Sequence, residues 1–407
     1  MRFLANGPSI PDELLVARDA GDVVFFCGAG VSRHLAKLPD FLKLGGDVIT
    51  LLGASEKSLA RKLFRRVQSM AEDPIKGVGS LIATTHSIAN EDFLAGNYRF
   101  DRNGATGKVV NEGNITAALS GYVALLAPEV QNAGLVVARA GMVALAAGEA
   151  ITLSIDGAGS LAGITTTPSA IASLIENKLA VLAPDGQIVL SAVGLNKLQV
   201  GLIKNSGSLE ANSLVNKGGK IVLEGDEIVM DRNSRIEAKG ATGGGSVLVG
   251  GDWQGSGDLR QATKVTMEAG ATIDASATNN GYGGKVVLWS DVNNADSVTQ
   301  VNGSIKVEAG PNGGNGGNGG KVETSGHKLQ VGASAQVATQ GGEWLLDPYD
   351  FTVAASGGDI TGAQLGTALG SGNVTIQTFA SSNATATGGG LSVSSSAATG
   401  NGDITIN

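Results

Sequence analysis

Residues 21–33 read GDVVFFCGAGVSR: an apolar run, Val23 to Cys27, that stops in Gly28-Ala29-Gly30 with Ser32 close behind. Those residue types at that spacing suit one piece of chemistry. A strand that ends in a glycine loop and passes into a helix lays backbone N–H groups and a helix N-terminus against a phosphate. Elsewhere, side chains able to do chemistry are sparse. The chain has 3 histidines and 1 cysteine, so no intramolecular disulfide can form. Cys27 ends an apolar run and reads as a small buried hydrophobe. His34, His86 and His327 stand far apart, and none has a neighbour at metal-ligand spacing. Asp156, Asp185, Glu210, Asp226, Glu227, Asp231, Asp252 and Asp274 are scattered and read as solvated surface charge. A β-helical polysaccharide lyase or hydrolase would need clustered carboxylates instead. Trp253, Trp289 and Trp344 have faces that could stack on sugars, but their expected role is packing against a coil or corner. No catalytic residue and no metal ligand is expected.

The glycine loop needs a fold to hold it. IPDELLVARDAG reads as a short helix before the strand, and Ser55 to Met70 as an amphipathic helix with Leu59, Leu63, Phe64 and Val67 on one face. A doubly wound fold binds a dinucleotide between two βαβ halves. Some seventy residues supply one half at most, because the composition then changes. Residues 1–77 carry a net charge of +2, whereas the remaining 330 carry −10 and hold 54 of the 62 glycines. That acidic balance argues against a nucleic-acid partner. No window approaches 18 uncharged apolar residues, so no transmembrane segment is expected.

After residue 109 the chain repeats. NEGNITA, NAGLVVA and NSGSLEA start at Asn111, Asn132 and Asn205; GYVALLA, GMVALAA and GQIVLSA start at Gly121, Gly141 and Gly186. A period near 20 residues, with two or three short alternating strands and Asn/Gly turns, describes a parallel β-helix. Each coil exposes strand edges that only a neighbouring coil can satisfy. Asn and Gly are expected at the corners for their tolerance of positive or bridging φ. GGKIVLEG, GGSVLVGG, GGKVVLWS and GGKVETSG follow at Gly218, Gly244, Gly283 and Gly319, with spacings of 26, 39 and 36. They read as the same solenoid with loops inserted on one face. PNGGNGGNGG (311–320) reads as one such loop, and it lacks the aspartates of a calcium-binding repeat. TGAQLGTALG reads as a helix, with strands NVTIQT and GDITIN after it.

Two resemblances rest on these residues. GAGVS followed by Leu38-Pro39-Asp40-Phe41 resembles the N-terminus of the sirtuin-like NAD-binding family, with Leu42 where that family usually has Arg. The resemblance implies NAD contacts at Gly28, Ala29, Gly30 and Ser32, with Asp40 and Phe41 near them. The family's Thr-Gln-Asn-x-Asp segment and catalytic His do not follow, so the loop is expected to be vestigial and to hold no working cofactor. GSLIATTHSIANEDFLAGNYRF (79–100), VVNEGNITA, VALLAPEVQNAGLVVARAG (123–141), GGKVETSGH and EWLLDPYDFTV (343–353) resemble the two-partner-secretion exoproteins of the filamentous haemagglutinin type. That resemblance implies a right-handed β-helix, an outer-membrane secretion pore as partner, adhesion to host or neighbouring-cell surfaces, and an extracellular or cell-surface location. The family's Asn-Pro-Asn motifs are missing, and MRFLANGPSIPDELLVARD lacks the unbroken apolar core of a secretion signal. The frame is therefore expected to be a fusion, truncated at both ends, and as written to stay in the cytoplasm.

The expectation is a mainly β protein. A short Rossmann-like α/β fragment (1–77) precedes regular β-helix coils (78–215), Gly-rich coils with inserted loops (216–350) and a further repeat segment (351–407). Its expected function is that of a β-helical adhesin without catalysis. The alternatives are an NAD-consuming sirtuin-like enzyme and a β-helical polysaccharide-binding or polysaccharide-degrading protein.

Overall fold

The computed structural model describes residues 24–25, 79–312, 319–378, 391–393 and 404–406. Gly28, Ala29, Gly30, Ser32, Asp40 and Phe41 lie outside the described residues, as do both N-terminal helices and the centre of the PNGGNGGNGG loop. Within the first 77 residues, Val24–Phe25 is described as a strand, antiparallel to Leu81–Thr84.

The chain winds into a parallel β-helix with three sheets running along it. The long sheet has 12 strands. From Leu81–Thr84 it stacks Val123–Leu126, Met142–Ala147, Gln187–Ala192, Lys220–Gly225, Ser246–Val249, Lys285–Trp289, Lys321–Gly326, Glu343–Pro348 and Asn373–Ile376 in parallel register. Two eight-stranded sheets complete each coil, from Lys108–Asn111 to Lys328–Val331 and from Asn114–Thr116 to Gln336–Ala338. The glycine-led motifs align as their sequences imply: Ile221 pairs with Val247, Val247 with Val286, and Val286 with Val322. The residues added between those motifs leave the coil as loops and do not disturb the register.

Strand alternation fills the interior. Val143, Leu145, Ile188, Leu190, Ile221 and Leu223 point inward and are at most 1% exposed. Each such side chain contributes roughly 1.5–3 kcal/mol on burial. The narrow core therefore needs few aromatic rings, in line with the 4% aromatic content.

The corners correct one expectation. Asn111, Asn132, Asn177 and Asn205 are not among the positive-φ residues. They sit at strand ends and form a buried ladder: Asn111 donates to Asn132 at 2.8 Å, Asn132 to Asn177 at 2.8 Å, Asn177 to Asn205 at 2.7 Å, and Asn205 to Ser234 at 2.6 Å. The repeated Asn is kept for its amide, which both donates and accepts, so each rung satisfies the next.

The glycines obey a steric rule. A Cβ on Gly186 would overlap the carbonyl oxygen of Gly141, and a Cβ on Gly219 that of Gly186. In the doubled glycines the second faces the coil before and the first faces the coil after: a Cβ on Gly218 would overlap the Ala238 carbonyl. Helix Gly362–Leu369 packs on the core beside the last coils. Thr361 and Gln364 form its capping box, and Leu365, Ala368 and Leu369 are buried against the core.

Candidate functional site

Because the interior is sealed, chemistry must occur on outward faces, and the outward face of the long sheet is covered in two different ways. Over the early coils the cover is apolar. Tyr98–Asp101, Ala150–Ile155 and Leu161–Thr166 form a three-stranded antiparallel sheet. Phe100, Ile151, Leu153 and Leu161 from it pack on Tyr122, Ala124, Leu126, Met142, Ala144 and Ala146. Arg102 ties the edge down with its Nε 2.9 Å from Glu149 Oε2, which holds the Glu149 carboxyl below its usual range. His86 is buried beneath this cover with Nε2 donating to the Gly148 carbonyl at 2.9 Å, and burial lowers its pKa.

Over the later coils the cover is the loop 250–262. Val222, Leu248, Val287, Trp289 and Val292 form its apolar footing, with Trp253 and Leu259 packed against them. Asp252 accepts from Trp253 N at 2.7 Å and from Lys285 Nζ at 2.7 Å. Lys321 Nζ lies 5.5 Å from the Trp253 ring centroid. The Trp289 indole N–H donates to Gln261 Oε1 at 3.0 Å. Gln254 sits at φ 52°, which points its N–H at Glu323 Oε2, 2.8 Å away.

Two carboxyls under and beside this loop were not singled out from the sequence. Glu323 is fully buried; it accepts from Gln254 N and, at 3.0 Å, from the Ser325 hydroxyl, and burial pushes its pKa up to about 7. Asp347 is 6% exposed, and burial pushes it up to about 6. Ser325 pairs with Asp347, so Glu323 and Asp347 lie on neighbouring strands two positions out of register. No described group donates to Asp347 Oδ1. Asp347 lines a cavity of about 260 Å³ with Gln254, Gln261, Trp289, Val292, Asn293 and Gln377. Period-two alternation in EWLLDP marks Asp347 as outward-facing. Nothing in the sequence says that a loop about ninety residues earlier closes over it.

Of the scattered acids, the structure corrects the reading at Asp226. Asp226 is buried, not solvated: Oδ2 accepts from Gly194 N and Gly201 N at 2.7 Å each, and Oδ1 accepts from Arg260 Nε at 2.6 Å. It clasps the 194–201 turn to the 250–262 loop. Asp156 and Asp274 accept backbone N–H groups in turns, at 2.9 and 3.0 Å respectively. His327 stacks on Tyr349 with centroids 4.5 Å apart and donates from Nδ1 to the Val292 carbonyl. Trp289 and Trp344 are each 3% exposed and pack as expected, Trp344 inward with its N–H on Thr324 Oγ1. Among the described residues no three His, Cys, Asp or Glu side chains are placed to hold a metal ion. None of the described helices is long and apolar enough to cross a membrane.

The class this architecture defines is that of the parallel β-helix proteins. No family model matches the chain. A heme/hemopexin-binding protein of Haemophilus influenzae is 28% identical over 137 residues, 33% of this chain and 14% of that protein. The protein of the same name from another strain of that species is 28% identical over 233 residues, 55% of this chain and 24% of that protein. The chain therefore spans less than a quarter of the length of these relatives. The crystal structure of the HMW1 secretion domain from Haemophilus influenzae is similar at 30% identity and a TM-score of 0.48, covering 66% of this chain and 74% of that one.

Proposed function

We propose that this chain is β-helical exoprotein material of the two-partner-secretion type, passed through an outer-membrane pore and acting outside the cell by surface adhesion, without catalysis. The observation that supports this most is the unbroken parallel register from Leu81–Thr84 to Asn373–Ile376, which every loop insertion leaves intact. Such a coil can form one turn at a time as the chain emerges, because each turn needs only the one before it. It offers long outward faces and a sealed interior. The test is export of the full chain, placed behind a secretion signal and co-produced with a pore of the two-partner type. Pore-dependent appearance in the medium supports the reading, and equal amounts without the pore contradict it. Adhesion is read separately, as binding of the purified chain to cells, glycans or matrix above background.

The relatives' printed name favours a second reading, heme or hemopexin binding. His327 donates Nδ1–H to the Val292 carbonyl, which leaves its Nε2 lone pair for a heme iron, whereas His86 bonds the Gly148 carbonyl through Nε2 and its free Nδ1 is buried. Heme titration with the Soret band as readout decides it.

A further inference from the structure

We propose that the cavity beneath the 250–262 loop binds one neutral pyranose sugar ring, with Asp347 as the acceptor at its floor. The proposal concerns the folded chain alone. It can stand or fall whatever the export experiment gives.

The site is built from three sides. Its floor is the long sheet, where Asp347 lines the cavity with 6% of its surface exposed, while its Oδ1 is sealed and unpartnered among the described residues. A nearly buried carboxylate with few donors is costly, and a ligand hydroxyl at its exposed edge would supply one. One wall is apolar, formed by Trp289 and Val292. The indole is held in place by Gln261 and by Gly251 and Gly255, whose missing side chains leave room for the ring. The rim carries the amides of Gln254, Asn293 and Gln377. Gln254 is fixed there by its own strained backbone, anchored on Glu323.

The donor set discriminates between ligand classes. Sugar hydroxyls both donate and accept, and so do the rim amides, while Asp347 requires a donor. An anionic sugar or phosphate would meet a buried carboxylate with no cation on the cavity wall. A divalent cation would need about six to eight oxygens, and only one carboxylate lines the space. An organic ammonium would satisfy Asp347 and leave the amide N–H groups without acceptors. Size points the same way: sites for drug-sized ligands run to about 300–1,000 Å³, so this cavity suits a single ring and not an oligosaccharide.

The experiment is saturation-transfer NMR and calorimetric titration of the purified full chain. The probes are methyl glucoside, galactoside, mannoside and N-acetylglucosaminide, with methyl glucuronide and tetramethylammonium as charged controls. The expected result is binding of at least one neutral pyranoside and of neither control. Asp347→Asn, which keeps the side chain's size and replaces one acceptor oxygen by an NH₂ donor, should weaken that binding at least about tenfold. Gln377→Ala, at the half-buried rim, should weaken it severalfold while leaving the thermal transition in place. Binding of no neutral pyranoside overturns the proposal. So do binding of tetramethylammonium in their place and unchanged affinity in both variants.

Discussion

The early and later coils solve the same problem in opposite ways. Each must cover the outward face of the long sheet. Over residues 123–147 the outward Ala, Leu and Met side chains meet the apolar face of an antiparallel sheet. Over residues 220–348 the outward columns mix Val and Leu with Lys220, Glu224, Lys285, Glu323 and Asp347, and the cover is a loop that answers them with backbone N–H groups, Arg260 and amides. The inner core is the same in both halves. The difference teaches that in a solenoid the inside sets stability and the covered outside is free to become a site. Each cover leaves buried groups without a partner among the described residues, His86 Nδ1 and Thr166 Oγ1 at the apolar one and Asp347 Oδ1 at the polar one.

Four expected outcomes would break or sharpen that comparison. The largest concerns what both halves share. Gly186→Ala would drive a Cβ into the Gly141 carbonyl and force neighbouring coils apart, whereas Gly163→Ala meets nothing within 4 Å. Denaturant titration should show a loss of several kcal/mol for the first, in the range of severe overpacking, and almost none for the second.

Next is the asparagine ladder, confined to the early coils and their junction. Asn132→Ala leaves the Asn111 amide N–H and the Asn177 amide oxygen each without its ladder partner and should cost about 2–4 kcal/mol. Gln300→Ala, which cuts an exposed 2.8 Å amide contact in the later coils, should shift the same transition by less than about 0.5 kcal/mol.

The third outcome is specific to the polar cover. Glu323 is raised to about 7 by burial, so the folded chain holds its proton more tightly than the unfolded chain does. Its stabilisation is complete below the ordinary carboxyl value and is lost as pH rises through about 7. Glu323→Gln should match the wild type near pH 4.5 and exceed it by roughly 3 kcal/mol at pH 8. Asp347→Asn should shift in the same direction. Thermal melts across pH 4.5 to 8 check both. Parallel curves for variant and wild type would show that the polar cover is wetter than the geometry says.

The smallest is a control on the apolar cover. Arg99 and Asp101 form a half-exposed pair at 2.9 Å, and Arg99→Ala should change stability by less than about 0.5 kcal/mol.

Much of the fold was legible because coil-forming residues act locally. Period-two alternation in GGKVVLWS and the glycine spacing gave the parallel strands and their stacking, and TGAQLGTALG gave a helix, found at Gly362–Leu369. The corner asparagines were found for the wrong reason, since a backbone preference and a side-chain ladder leave the same letter at the same interval. The site was less legible. Trp289 and Asp347 belong to strands whose sequences announce which way they point. What covers them is set by a loop from another coil, and no local pattern encodes that contact. Asp226 reads as an ordinary surface acid until the turn at 194–201 and Arg260 close around it.

The central claim is one continuous stack, with the loops added on its outside. Amide hydrogen exchange of the full chain, followed by mass spectrometry, tests it most directly. The account predicts a single slow-exchanging block from Val123–Leu126 to Asn373–Ile376 that opens together as denaturant is added, with the 250–262 loop exchanging sooner. Two blocks that open at separate denaturant concentrations, divided near residue 215, would contradict it.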